Sequence, residues 1–271
     1  MKATLRYRAA FALTVLGLVS AYVTLILADH GSRQQSPTVR VLAGEIPPMV
    51  HGDGRGVEVD YLRSLLNLGP ETRLEVTVFP FSRHWRNFGA LEGFDLVMTV
   101  PERFDLGGWN TAPYVQYGNG LVYRRADFPD GLGPTPLERL DGKRVVGFAG
   151  ASRLIEAVAD NREDFALYLE RYSQFRQAAM LASGFADAVI AERSIIEYYL
   201  AEVGEDLSDY VFEPVFCPTR YVFAARDGAL HDRLSAIAEP RDVETLVQSG
   251  AERPSLSSVA IRAPGAGECL Q

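Results

Sequence analysis

Apolar positions along this chain recur at two spacings, every second residue and every three to four, and the switches between them mark out the elements. Residues 39–43 (VRVLA) form a short apolar strand that ends at Gly44 and is broken by Pro47-Pro48. After the HGDGRG segment, Val57, Tyr61, Leu62, Leu65, Leu66 and Leu68 recur at helical spacing and stop at Gly69-Pro70, where a helix is expected to end. Leu74–Phe79 alternates as a strand. Ser82–Leu91 predicts a helix with Ser82 as N-cap and Trp85, Phe88 and Leu91 on its inner face. Asp95–Val100 is again strand-like. The first part thus reads β-α-β-α-β, the order of a parallel sheet with crossover helices.

Gly120–Arg125 reads as extended, and a Pro/Gly-rich connection (Phe128–Pro136) leads into a second set. It comprises strand Arg144–Ala149, a helix opening at Ser152, helix Ser173–Ser183, strand Asp187–Ala191 and helix Ser194–Val203. Val211–Phe216 and Tyr221–Arg226 read as extended, Leu230–Ala238 and Val243–Ser249 as helical. After Arg253 no periodicity remains, and residues 254–271 are expected to be a flexible tail. No internal repeat is apparent.

Ahead of these elements, Lys2, Arg6 and Arg8 precede an uncharged, mostly apolar run, Ala9–Ala28, and the polar linker DHGSRQQSPT. Positive charge before an apolar segment sends the bulk of the chain outward. The run suits a cleaved signal peptide or a retained transmembrane helix. Residues 1–38 are therefore read as targeting segment plus linker. The remainder is expected in the periplasm or its equivalent, tethered to the inner membrane by residues 9–28 if they are kept.

The net charge is −8, from 27 basic and 35 acidic side chains. It argues against nucleic acid as a partner, because phosphate binding needs a basic face. Cys217 and Cys269 can pair in an oxidising compartment and tie down the tail. Alternatively Cys269, third from the end in a Gly/Pro/Ala-rich stretch, stays unpaired. No metal-site spacing is present. The G-x-G-x-G of HGDGRG lacks both a strand feeding it and a following acidic residue, so it reads as a loop rather than a dinucleotide cradle. No hydrolase, P-loop or zincin motif occurs, and the four His are scattered. No cofactor, metal or catalytic residue is expected, and the chain does not read as an enzyme.

Three places carry binding chemistry. Arg103 stands just past the carboxyl end of a buried strand, with Thr99 before it, and a guanidinium fork suits a carboxylate. Gly147–Ser152 (GFAGAS) closes a strand and opens a helix, a place for an anion. Glu192 ends a strand and can take a cationic group. Each has an ordinary alternative: Arg103 paired with Glu102 or Asp105, Ser152 capping its own helix, Glu192 paired with Arg193.

The Pro-Pro turn, FPFSRHW, FDLVMTVPER, LDGKRVVGFAGAS and SGFADAVIAERSIIEYYL occur in the order and spacing of the family 3 extracellular solute-binding proteins, which serve ABC importers. The chain resembles that family over about Val39–Ser249. The resemblance implies an α/β, two-lobed type II periplasmic-binding-protein fold with a hinge cleft. Residues 39–121 would form the first part of lobe 1, 122–220 lobe 2 and 221–253 the return to lobe 1, with crossings near Val122–Arg124 and Cys217–Tyr221. It also implies that Arg103 anchors a ligand carboxylate with Thr99, that the Ser152 turn donates from the second lobe, and that Glu192 takes an amino group. Met49, Tyr114 and Arg83 would line the cleft. Two departures stand out: the turn before Arg103 is shorter than in amino-acid binders, and Met49 replaces the usual aromatic. The implied partners are a small polar carboxylate, such as an amino acid or derivative, and a membrane permease, with the protein a monomer. The alternatives are a dehydratase-like enzyme on the same fold, or a membrane-anchored sensory or accessory protein with a degenerate ligand site.

Overall fold

A computed structural model describes residues 38–67, 72–81, 83–85, 92–234, 240–242, 245–247, 260–261 and 269–270. The apolar segment Ala9–Ala28, most of the expected helix Ser82–Leu91, the end of Leu230–Ala238 and most of Val243–Ser249 lie outside the described residues. Among the described residues no helix is long and apolar enough to cross a membrane.

The chain builds two mixed sheets. The first holds β1 (Thr38–Glu45), β2 (Arg73–Pro80), β3 (Leu96–Pro101), β4 (Trp109–Asn110), β5 (Val115–Tyr117), β11 (Thr219–Ala225) and β12 (Arg241–Asp242), with helices α1 (Val57–Leu66) and α6 (Gly228–Leu234). The second holds β6 (Asn119–Arg124), β7 (Arg144–Phe148), β8 (Leu167–Arg171), β9 (Ala188–Glu192), β10 (Tyr210–Glu213) and β13 (Ala260–Ile261). Its helices are α2 (Ala151–Leu154), α3 (Glu156–Asn161), α4 (Gln174–Ala182) and α5 (Arg193–Glu202). The helix expected from Ser152 is two short pieces, because Ile155 between them takes an extended conformation.

Both sheets share one plan. β2-β1-β3 run parallel and β11 lies antiparallel on β3. β8-β7-β9 run parallel and β6 lies antiparallel on β9. The strand β3, LVMTVP, is buried along its whole length, so it reads as a continuous apolar run rather than an alternation. The same ion pair ties both sheets. The Arg40 backbone N–H and guanidinium donate to Asp95 just before β3, and Arg144 makes the same set to Asp187 just before β9. These pairs expose an internal repeat that the pattern of apolar positions does not show.

The chain passes from the first sheet to the second at Gly118, between β5 and β6. That is earlier than the expected crossing near Val122–Arg124, because all of Asn119–Arg124 pairs with β9 and β10. The buried Leu121, Val122 and Tyr123 belong to the hydrophobic clusters of the second sheet. The chain returns between Glu213 and Thr219. The tail then comes back to the second sheet. β13 pairs in parallel with β10, Leu270 bridges to Phe216, and Cys269 forms a disulfide with Cys217. The described tail residues are thus held, where a loose end was expected.

Candidate functional site

The turn after β3 delivers Arg103 to a cleft of about 240 Å³. Pro101, Glu102 and Arg103 form one wall, Leu154 and Ile155 at the end of α2 another, and Cys217–Arg220 of the return connection a third. Arg103 is exposed, and its guanidinium carbon stands 5.8 Å from the Phe104 ring centre. Neither acidic neighbour pairs with it. Glu102 accepts from the Arg220 guanidinium at 3.1 Å, and Asp105 accepts from the Gly107 backbone N–H at 2.8 Å. The cleft therefore presents one guanidinium without a carboxylate partner among the described residues and one balanced Arg–Glu pair.

Thr99 and Tyr114 come together, but inside the protein. Thr99 takes a left-handed conformation (φ 54°) at a bulge of β3 opposite Phe223, uncommon for a β-branched residue. The bulge re-aims its side chain, and its hydroxyl donates to Glu58 at 3.0 Å. The Tyr114 and Tyr117 hydroxyls also donate to Glu58, and the Thr99 N–H donates to the Tyr114 oxygen at 3.1 Å. Thr99, Tyr114 and Glu58 are fully buried. Burial pushes the Glu58 carboxyl up, while the three hydroxyl donors favour its charged form. Burial and then the Glu58 charge push both tyrosines well above their usual range. Met49 is fully buried in the hydrophobic cluster around this network. Its carbonyl accepts from the Glu58 N–H at 3.1 Å, opening α1.

The turn at Ser152 already holds an anion, supplied by the protein. The Glu170 carboxylate on β8 accepts from the Gly150 N–H at 2.7 Å, the Ser152 N–H at 2.8 Å and the Ser152 hydroxyl at 2.7 Å. Tyr168 adds a fourth donor at 3.1 Å. Partial burial alone would raise the Glu170 carboxyl; the Ser152 and Gly150 donors outweigh it and hold it below its usual range.

Glu192 is 5% exposed and accepts from the Ile195 N–H at 3.0 Å, capping α5. It borders a void of about 10 Å³ lined also by Ile46, Phe81, Tyr117, Phe148 and Tyr221, room for about one water. Arg193 pairs with Glu197. Arg83 is exposed, its guanidinium 5.5 Å from the Tyr172 ring centre. The fold therefore does not gather the seven expected residues around one ligand space. Glu58, Glu170 and Arg220 were not singled out from the sequence. Glu58 was the most findable, a carboxylate flanked by Val57 and Val59 on the buried side of a helix.

Neither a protein-family model nor a curated protein matches this chain. Solved structures do match. A histidine kinase sensor domain with similarity to periplasmic binding proteins superposes with a TM-score of 0.58 at 20% identity, covering 75% of this chain and 90% of its own. A substrate-binding protein of an ABC uptake transporter from Streptococcus pneumoniae, with bound histidine, gives 0.58 at 16% identity, covering 74% and 85%. The ancestral amino-acid-binding protein AncCDT-1, a precursor of cyclohexadienyl dehydratase, gives 0.57 at 18% identity, covering 73% and 87%. At these identities the likeness is one of fold: this chain has the two-lobed α/β architecture of periplasmic binding proteins.

Proposed function

We propose that this protein is an exported solute-binding protein of the family 3 kind, which captures a small anionic ligand at the Arg103 cleft and presents it to a membrane permease. The observation that carries this reading is the exposed guanidinium of Arg103, without a carboxylate partner among the described residues, in a cleft whose walls come from both sheets and from the return connection. A ligand bridging those walls makes contacts that exist only when the two sheets are close. It therefore shifts the population toward the closed form, which the permease reads. The cleft's own carboxylate, Glu102, is held by Arg220. The test is a thermal-shift screen of small carboxylates, amino acids and phosphorylated metabolites. A true ligand at about a hundred times its dissociation constant stabilises by roughly 2.7 kcal/mol. The shift should vanish in Arg103→Ala while the ligand-free melting point stays unchanged. A full shift in that variant would remove Arg103 from the site.

A second reading is a membrane-anchored sensory or accessory module. Glu170 filling the Ser152 turn favours it, because that turn then needs no ligand anion to satisfy its donors. Retention of residues 9–28 with no ligand found would decide for it.

A further inference from the structure

We infer that the Arg103 cleft selects a monocarboxylate with an apolar body and no amino group. This rests on the solute-binding reading above and narrows its ligand class. Arg103 has no carboxylate partner among the described residues, so one anionic group is wanted there. Arg220, the second guanidinium of the cleft, is paired with Glu102 at 3.1 Å, so a second anionic group meets no unpaired guanidinium among the described residues lining the cleft. That same pair occupies the carboxylate that could otherwise receive an ammonium. Glu192, which the family resemblance assigns to an amino group, borders a separate void of about 10 Å³ and is spent on the Ile195 N–H. A ligand ammonium beside Arg103 would thus lie near two guanidiniums, with Glu102, already paired to Arg220, as the one carboxylate among the residues lining the cleft, and like charges repel. On the opposite wall Ile155 is buried, and the half-buried Leu154 offers an aliphatic or aromatic body a surface to cover. A cleft of about 240 Å³ holds a molecule smaller than a drug-sized ligand.

The experiment is isothermal titration of the full-length protein in detergent with two matched pairs, phenylpropanoate against phenylalanine and isocaproate against leucine. Members of each pair share a skeleton and differ in the amino group. Each acid is expected to bind at least about tenfold more tightly than its amino acid, about 1.4 kcal/mol. Arg103→Ala and Arg103→Gln, both at an exposed position, are expected to abolish binding of the acids. Glu102→Gln, which releases Arg220, is expected to add binding of dicarboxylates. Amino acids binding as tightly as the acids would overturn the inference. If Arg103→Ala still removed them, the solute-binding reading would stand alone. Absence of any acid binding also overturns it, and if in addition no anion responds to Arg103→Ala, both readings fall together.

Discussion

Replacing Glu58 by Leu keeps side-chain volume but leaves three buried hydroxyl donors without their acceptor. In the native protein Tyr114, Tyr117 and Thr99 all donate to this carboxylate. A buried polar group left unsatisfied costs about 1–3 kcal/mol. Two of the three can partly rescue each other, since the Thr99 and Tyr114 oxygens are 3.3 Å apart. The variant also escapes the burial of a carboxylate. Weighing these, the expected loss is about 3–5 kcal/mol, the cost of two or more orphaned donors at about 1–3 kcal/mol each. For a body of this size that lowers the melting point by roughly 6–20 °C. Urea unfolding followed by tryptophan fluorescence at neutral pH measures it. Adding Tyr114→Phe and Tyr117→Phe to Glu58→Leu should recover at least half of the loss, because the orphaned donors are then gone.

The pH dependence gives an independent check. Burial raises the Glu58 carboxyl in the folded state, so the folded protein binds more protons than the unfolded chain. Its contribution to stability is therefore full below the unfolded value, near pH 4.5, and is lost as pH rises through the folded value. The Leu variant should lack that slope. A Glu58→Leu protein within about 1 kcal/mol of wild type, with the same pH profile, would refute the network as a structural element.

Three further outcomes are expected. Reducing the Cys217–Cys269 bridge, or replacing both residues by Ser, opens a loop of 52 residues and should cost about 4 kcal/mol on the chain-entropy account, read by denaturant unfolding with and without reductant. Glu170 is held below its usual range, so it stabilises above the unfolded value and that support is lost as pH falls through the folded one. Glu170→Gln should flatten the acid limb of a pH–stability curve. His84 is buried and neutral, pushed down to about 3 chiefly by burial. Stability should fall as pH drops from about 6.5 toward 3 with a slope of up to about 1.4 kcal/mol per pH unit, and His84→Gln should remove it.

Much of the architecture was legible in the sequence because central strands and amphipathic helices carry strong periodic signals. The runs 39–43, 144–149 and 187–191 each became a central strand within a residue or two. The edge strand β8, LYLER, is half-exposed along its length and carried no such signal, and β4, β5, β12 and β13 are two or three residues long. The first crossing was misplaced because apolar content does not reveal which sheet a strand joins: Leu121–Tyr123 would be buried in either. The repeat of Arg40–Asp95 in Arg144–Asp187 rests on two charged residues per unit, which apolar spacing ignores. Of the residues singled out from the sequence, Arg103 lines the larger cleft, and whether it holds a ligand is part of the proposal. The expectations for Thr99, Tyr114 and Ser152 carried chemistry without its competitors. Glu58 lies forty-one residues before Thr99 and Glu170 eighteen after Ser152, and only the fold brings each to its donors.

The central claim is that Arg103 holds a small anion. The most direct measurement is mass spectrometry of small molecules released from wild-type protein and from Arg103→Ala, expressed and purified in parallel. The account predicts a carboxylate in near-stoichiometric amount from the wild type and little or none from the variant. Equal amounts from both, or no anion from the wild type, would contradict it.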